Sequence, residues 1–156
     1  MSKVHPQVHY LRNLTKQGAV DPLIKSLNEL FKYLTKNPSV TKENLSIFLA
    51  PGGSEALVYI EVSSGRPVAY GEVHLIPRLN RPSATIESIV VDPEYRGLGI
   101  GRAIMHTLLE IAKQKGAKTV TLTSNPTRQR ARKLYRDLGF KLKKTGFYML
   151  DLEAQQ

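Results

Sequence analysis

Cysteine and tryptophan are both absent from the 156 residues. Without cysteine there can be no disulfide, thiolate zinc site, iron–sulfur ligation or thiol nucleophile, because each needs that sulfur as electron donor. Long apolar runs are missing too: none approaches the roughly 20 residues that span a bilayer. The N-terminal MSKVHPQVHYLRNL has no apolar h-region and no small-residue cleavage site. No membrane span is implied, and a soluble cytoplasmic protein is the expectation. Acidic residues are few, 13 against 23 Lys and Arg, for a formal charge of +10. That excess favours anionic partners such as phosphates, nucleic acid or acidic surfaces without choosing among them. His5, His9, His74 and His106 stand at no metal-ligand spacing, so no metal is implied.

There is no repeat, low-complexity tract or linker, and one domain over residues 1–156 is expected. After an extended start at Val4–Leu14, Asp21-Pro22 supplies an N-cap and a first-turn proline. Leu23, Ile24, Leu27, Leu30, Phe31 and Leu34 then recur at helical spacing. A shorter helix begins at Thr41 and turns Leu45, Phe48 and Leu49 inward. Ala56–Ser63, Pro67–Ile76 and Ala84–Val91 are rich in β-branched and aromatic residues and read as three strands joined by hairpins. A helix with Ile104, Met105, Leu108, Ile111 and Ala112 on one face stops at Gly116. Beyond it, Lys118–Thr123 reads as a strand, Thr127–Leu138 as a helix ending at Gly139, and Phe147–Leu152 as a last strand. The series predicts an α/β fold.

Between the third strand and the helix that follows lies Arg96-Gly97-Leu98-Gly99-Ile100-Gly101. Three glycines at alternate positions leave the backbone bare where it must turn, and amides at a helix N-terminus can bind an anion. A merely tight turn is the alternative. A dinucleotide fingerprint would need glycine where Arg102 stands, and a P-loop would close on Gly-Lys-Ser/Thr, so neither fits. The motif that fits is Arg-x-x-Gly-x-Gly directly after Ile89-Val90-Val91-Asp92-Pro93. Downstream, Ala131-Arg132-Lys133-Leu134-Tyr135-Arg136-Asp137-Leu138-Gly139-Phe140 forms A-x-x-L-Y-x-x-x-G-F. Together, in this order and separation, the two motifs resemble the GCN5-related N-acetyltransferases (GNAT), and the resemblance covers nearly the whole chain.

The resemblance implies a mostly antiparallel, twisted mixed sheet with helices on both faces, split where the two cofactor-binding strands diverge. It implies acetyl-CoA as cofactor, its pyrophosphate held by Arg96, Gly97, Leu98, Gly99, Ile100, Gly101 and Arg102. Its pantetheine arm would run along Ile89, Val90 and Val91, with the Val90 amide polarising the acetyl carbonyl. Tyr135 would protonate the leaving coenzyme A sulfur; the alternative is a core tyrosine satisfied by a backbone carbonyl. The family's asparagine seven residues before that tyrosine is replaced by Arg128, with Asn125 the nearest asparagine; a phosphate contact by Arg128 and a plain surface arginine both remain open. The reaction implied is direct attack of an amine in a ternary complex. A homodimer is compatible with it.

Glu87 is the first candidate for general base, since an amine near pKa ~10.4 must lose a proton. Strand alternation places it with Ile89 and Val91, away from Ser88 and Val90. Substrate hydrogen bonding and a structural ion pair are its other readings, and Glu72 is a weaker candidate. Tyr70, His74, Arg78 and Arg81 offer polar groups to the acceptor, the arginines suggesting an anionic one. The basic stretch Arg128–Lys144 has an adequate use in the phosphates of coenzyme A and lacks the interleaved aromatics that stack nucleic-acid bases. Non-catalytic acyl-CoA binding, nucleic-acid binding, and acetylation of protein N-termini or lysines are the rival functions.

Overall fold

The computed structural model describes residues 6–18 and 20–152. Val4 and His5 lie outside them. The chain divides into two compact units, residues 1–123 and 124–156.

The first unit opens with β1 (Gln7–Tyr10), α1 (Leu11–Gln17), α2 (Val20–Phe31) and α3 (Lys42–Leu49). The extended start is therefore shorter than expected. Leu11 and Leu14 are spaced for a helix face, and Leu11 is buried in the core with Leu14 packed against it. α2 begins at Val20, ahead of Asp21, and this is compatible with Pro22 because the first turn has no intrahelical use for its N–H. α3 is capped as the sequence suggests: the Thr41 hydroxyl accepts from the Asn44 amide at 3.1 Å.

Strands β2 (Glu55–Ile60), β3 (Pro67–Ile76), β4 (Ser83–Val91) and β5 (Thr119–Thr121) join β1 in one sheet of order β1-β2-β3-β4-β5. All pairs are antiparallel except β4 with β5, which α4 (Ile100–Gln114) makes parallel by crossing over. Helices pack on both faces. Ala56, Val58, Tyr70 and Val90 meet Leu11, Leu27, Leu30 and Leu45 of α1–α3, with the Phe31 and Tyr70 rings edge to face at 4.9 Å. Gly71 faces Ile104 and Leu108 of α4 on the other side.

In β4 the regular two-residue alternation breaks. Tyr70 opposes Val90 and Glu72 opposes Glu87, so Gly71 alone faces two residues, Ser88 and Ile89. This is a β-bulge, and Ser88 takes the positive φ of 55° that accommodates the extra residue.

The second unit contains α5 (Gln129–Asp137). Gly139, at φ 88°, ends it in a Schellman motif: the Gly139 amide donates to Arg136 O at 2.9 Å and Phe140 N–H to Tyr135 O at 3.0 Å. The Phe140 ring packs edge to face on Tyr135 at 6.1 Å. The G-F of the second motif is thus a helix stop that braces the tyrosine. The expected strand at Phe147–Leu152 is not formed. A strand needs a neighbour for its backbone groups, and among the described residues no strand pairs with the segment, whose Phe147 is 77% and Tyr148 94% exposed.

A Cβ added at Gly71 would lie 2.6 Å from both Ile104 Cγ2 and Ile89 Cδ1. Gly71→Ala is therefore expected to destabilise by about 1–3 kcal/mol through overpacking. Urea unfolding checks this: the midpoint falls while the slope is unchanged.

Candidate active site

β5 pairs only with Ser83, Ala84 and Thr85. β5 ends at Thr121, opposite Thr85, and among the described residues no strand covers the outer edge of β4 from residue 86 to 91. Which backbone groups that edge offers follows from strand polarity. The Asp92 amide donates inward to Val68 O at 2.9 Å, while Val91 O faces outward and accepts from Arg96 Nε at 3.0 Å. Alternation then turns the Val90 amide inward to β3 with that of Asp92, and presents the Ile89 carbonyl and the Val91 amide outward. The expected use of the Val90 amide as carbonyl polariser is overturned by this polarity. The Val90 side chain is buried in the core beside Tyr70.

Past Val91 the chain turns through a short 3-10 helix, Pro93–Tyr95, and then through Arg96, Gly97, Leu98 and Gly99 into α4. Gly97 and Gly99 sit at φ 84° and 80°, and a Cβ at either would meet nothing within 4 Å. Glycine is needed here for conformation, and the space beside the backbone is open. Gly101 lies inside α4 without a positive φ, so only two of the three glycines shape the turn. Ile100 is buried and anchors the helix start, whereas Arg96, Leu98 and Arg102 are exposed.

The entry to this turn is tied down. Asp92, 2% exposed, accepts from Arg66 Nη1 at 2.6 Å and from the Glu94 amide at 3.0 Å, and the Tyr95 hydroxyl donates to Glu61. The hydrogen bond to Asp92 raises Arg66 above its ordinary pKa. Sequence reasoning missed Arg66 and Glu61. They lie some thirty residues from the loop, and the β2–β3 hairpin that carries them there leaves no local signal.

Bare, anion-accepting amides at a glycine turn, a helix N-terminus of 15 residues and two exposed arginines make a cradle suited to a diphosphate. The outer edge of β4 suits an extended arm carrying amides.

On the α1–α3 face, β3 and β4 present a cluster of polar side chains. Glu72 accepts from Tyr70 Oη at 2.5 Å and Ser88 Oγ at 2.9 Å, and its Oε1 lies 3.3 Å from His74 Nε2. His74 Nδ1 is 2.9 Å from Ser54 Oγ, and Phe48 stacks edge-on against the imidazole. Burial alone would raise Glu72, but hydrogen bonds from His74, Tyr70 and Ser88 outweigh it and hold the carboxyl below its ordinary value. The bond to Glu72 raises His74 against the opposing effect of burial, and the charges of Glu72 and Glu87 raise it further. Burial first, then the Glu72 charge, pushes the Tyr70 phenol well up.

Glu87 opposes Glu72 across the strands and therefore shares its face. The bulge sends Ile89 to the opposite face, against α4. The expectation that Glu87 would point with Ile89 and Val91 is corrected: one inserted residue reverses the alternation. Glu87 accepts from Thr85 Oγ1 at 2.7 Å and, among the described residues, has no Lys or Arg partner.

In the second unit Tyr135 is half-buried on α5. Asn125 Oδ1 accepts from the Thr127 amide and hydroxyl, both at 2.9 Å, in a turn ahead of the helix. Arg128 is the N-cap, at φ −81° and ψ 61°, not a helical residue. Its carbonyl accepts the first bond of the helix, from the Arg132 amide at 3.0 Å. Arg78 and Arg81 lie exposed on the β3–β4 hairpin, at the end of β4 where β5 is still paired.

The Acetyltransferase (GNAT) family model matches residues 22–140. A glucosamine 6-phosphate N-acetyltransferase from Trypanosoma brucei brucei is 32% identical over 119 residues, 72% of this chain and 79% of that protein. An uncharacterized N-acetyltransferase from Methanocaldococcus jannaschii is 29% identical over 143 residues, 88% of this chain and 62% of its own length. The crystal structure of a Trypanosoma brucei acetyltransferase superposes with a TM-score of 0.73 at 27% identity, covering 94% of this chain and 100% of that one. Glucosamine-6-phosphate N-acetyltransferase from Arabidopsis thaliana shares the fold at a TM-score of 0.73 and 22% identity, over 92% and 98% of the two chains.

Two pH effects follow from the Glu72–His74 pair. A raised His74 contributes stability fully below its ordinary 6.5 and loses it as pH rises through the folded value. A lowered Glu72 contributes above its ordinary 4.5 and loses it as pH falls through its own folded value. NMR titration of the imidazole should give a midpoint above 6.5 that drops in Glu72→Gln; a midpoint indifferent to that substitution would contradict the coupling.

Proposed function

The chain belongs to the acetyltransferase (GNAT) family, and from that premise we propose that it transfers the acetyl group of acetyl-CoA to a primary amine of a small molecule, by direct attack with both reactants held on the protein. The observation that carries this reading is the outer edge of β4, without a strand partner past Thr85 among the described residues and continuous with the glycine turn and the start of α4. When bound, acetyl-CoA supplies an acetyl group already activated as a thioester.

The turn from Arg96 to Arg102 binds the pyrophosphate through backbone amides, the helix dipole and the two guanidinium groups. The Ile89 carbonyl and Val91 amide hold the pantetheine arm as an added strand would be held. An amide that polarises the thioester oxygen must face outward, which excludes Val90 and leaves the bulge and Val91. Glu87 takes the proton from the ammonium, directly or through water; with no Lys or Arg beside it, the structural ion-pair role has no support. Tyr135 supplies the proton to the departing thiolate, an assignment that rests on its motif. The absence of cysteine argues for direct attack over an acetyl-thioester on the enzyme.

Calorimetry with acetyl-CoA tests the cofactor, with saturable binding expected in wild type. Gly99→Ala should weaken it, because an alanine at φ 80° costs about 1–2 kcal/mol and reshapes the turn. Tyr135→Phe should lower kcat roughly 100-fold or more with acetyl-CoA affinity unchanged; an unaltered kcat would remove Tyr135 from the acid role.

A further inference from the structure

A cavity of about 230 Å³ lies between α1–α3 and the sheet. Its walls are mostly apolar, with Leu11, Leu27, Phe31, Leu45 and Phe48 joined at one side by the polar Thr35, Ser39 and Asn44, and its floor is Tyr70 and Glu72. The enclosing helices are fixed in place. Arg12 Nη1 donates to Leu49 O at 2.7 Å, joining α1 to α3. The Asn28 side chain bonds Val40 twice, at 2.8 and 2.9 Å, joining α2 to the segment before α3.

The charge at the floor is unbalanced. Glu72 and Glu87 face each other across β3 and β4, and like charges so placed repel. Among the described residues neither takes a Lys or Arg, and the imidazole of His74, shared with Ser54, is the basic group beside Glu72. Three hydrogen-bonding partners hold Glu72 at the floor of a half-open, mostly apolar cleft. A cation entering the cavity would relieve the repulsion and be desolvated against the apolar walls. The location suits acetyl transfer, because the floor is one strand spacing, roughly 4.8 Å, from the outer edge of β4.

We propose that this cavity is the acceptor site and that it takes a primary amine on an apolar body, the ammonium received by Glu72, whose cross-strand neighbour Glu87 adds negative charge from outside the lining, and the body by the helix walls. This rests on the acetyl-transfer reading above. Size sets the class: an apolar cavity of ~150 Å³ is filled by benzene, so this one holds a ring with a short alkylamine arm. No Lys or Arg lines it, and a phosphorylated sugar amine would bring its dianion into apolar surroundings beside two carboxylates. Arg78 and Arg81, on the exposed hairpin, are not among its lining residues.

The experiment compares phenethylamine, its neutral isostere phenethyl alcohol and glucosamine 6-phosphate. Binding is read by calorimetry without acetyl-CoA, and turnover by thiol release with it. Phenethylamine is expected to bind and be acetylated, and the alcohol to bind at least roughly tenfold more weakly. Glu72→Gln should raise KM for phenethylamine roughly 10- to 100-fold while acetyl-CoA affinity stays unchanged, which also reports that the variant is folded. Phe48→Trp keeps the carboxylates and narrows the cavity, so it should shift preference from phenethylamine toward ethylamine. Acetyl-CoA binding with glucosamine 6-phosphate acetylated in preference, or equal binding of alcohol and amine, would overturn the proposal and leave the transferase reading standing. Phenethylamine binding without acetyl-CoA binding would uphold the cavity's selectivity but overturn its role as acceptor site, together with the transferase reading.

Discussion

The bulge at Ser88 sets one residue more on β4 than β3 can match at Gly71, and both faces of the sheet are organised by how that surplus is absorbed. Ser88 absorbs it with a backbone conformation unfavourable to a side chain, and its hydroxyl donates to Glu72. Upstream of the bulge Glu87 belongs to the α1–α3 face. Downstream, Ile89 packs toward α4 while Val90 enters the core with Tyr70. A regular strand would have placed Glu87 and Ile89 together and left Glu72 without its donor from Ser88. The bulge lies within the stretch of β4 that no longer has β5 beside it, so the acidic cluster and the uncovered edge adjoin each other along one strand.

Two kinds of rigidity serve the two proposed substrates. On the carrier side, buried Asp92 fixes the start of the turn through Arg66 and the Glu94 amide, and glycines at 97 and 99 supply conformations that other residues resist. On the acceptor side, side chains from three helices close an apolar space over a carboxylate already committed to three donors. A buried acid in that position is costly unless charge is balanced, and His74 balances it in part. The remaining negative charge is what an ammonium group would answer.

Much of the architecture was legible in the chain. The periodic apolar residues of α2 and α4, the Thr41 cap and the limits of β3 all matched their local signals. The glycine turn and the tyrosine helix were legible as motifs, and Gly139 has a plain physical role as a helix stop. What escaped was non-local. The bulge has no composition signature, since Ser88 is neither glycine nor asparagine, so simple alternation misassigned the face of Glu87. Glu72 ranked below Glu87 because its donors come from Tyr70, His74 and Ser88, and the last of these reaches it only across strands. The apolar run Phe147–Leu150 suits a strand, yet a strand also needs a partner.

The central claim is that the outward-facing backbone of β4 receives the acetyl carrier, and residue-resolved amide hydrogen exchange tests it most directly. With acetyl-CoA added, the Val91 amide and those of the turn from Gly97 to Gly101 should slow by roughly tenfold or more, while Val90, already turned toward β3, stays as it was. Unchanged exchange at Val91 under saturating acetyl-CoA, or protection confined to other strands, would contradict the account.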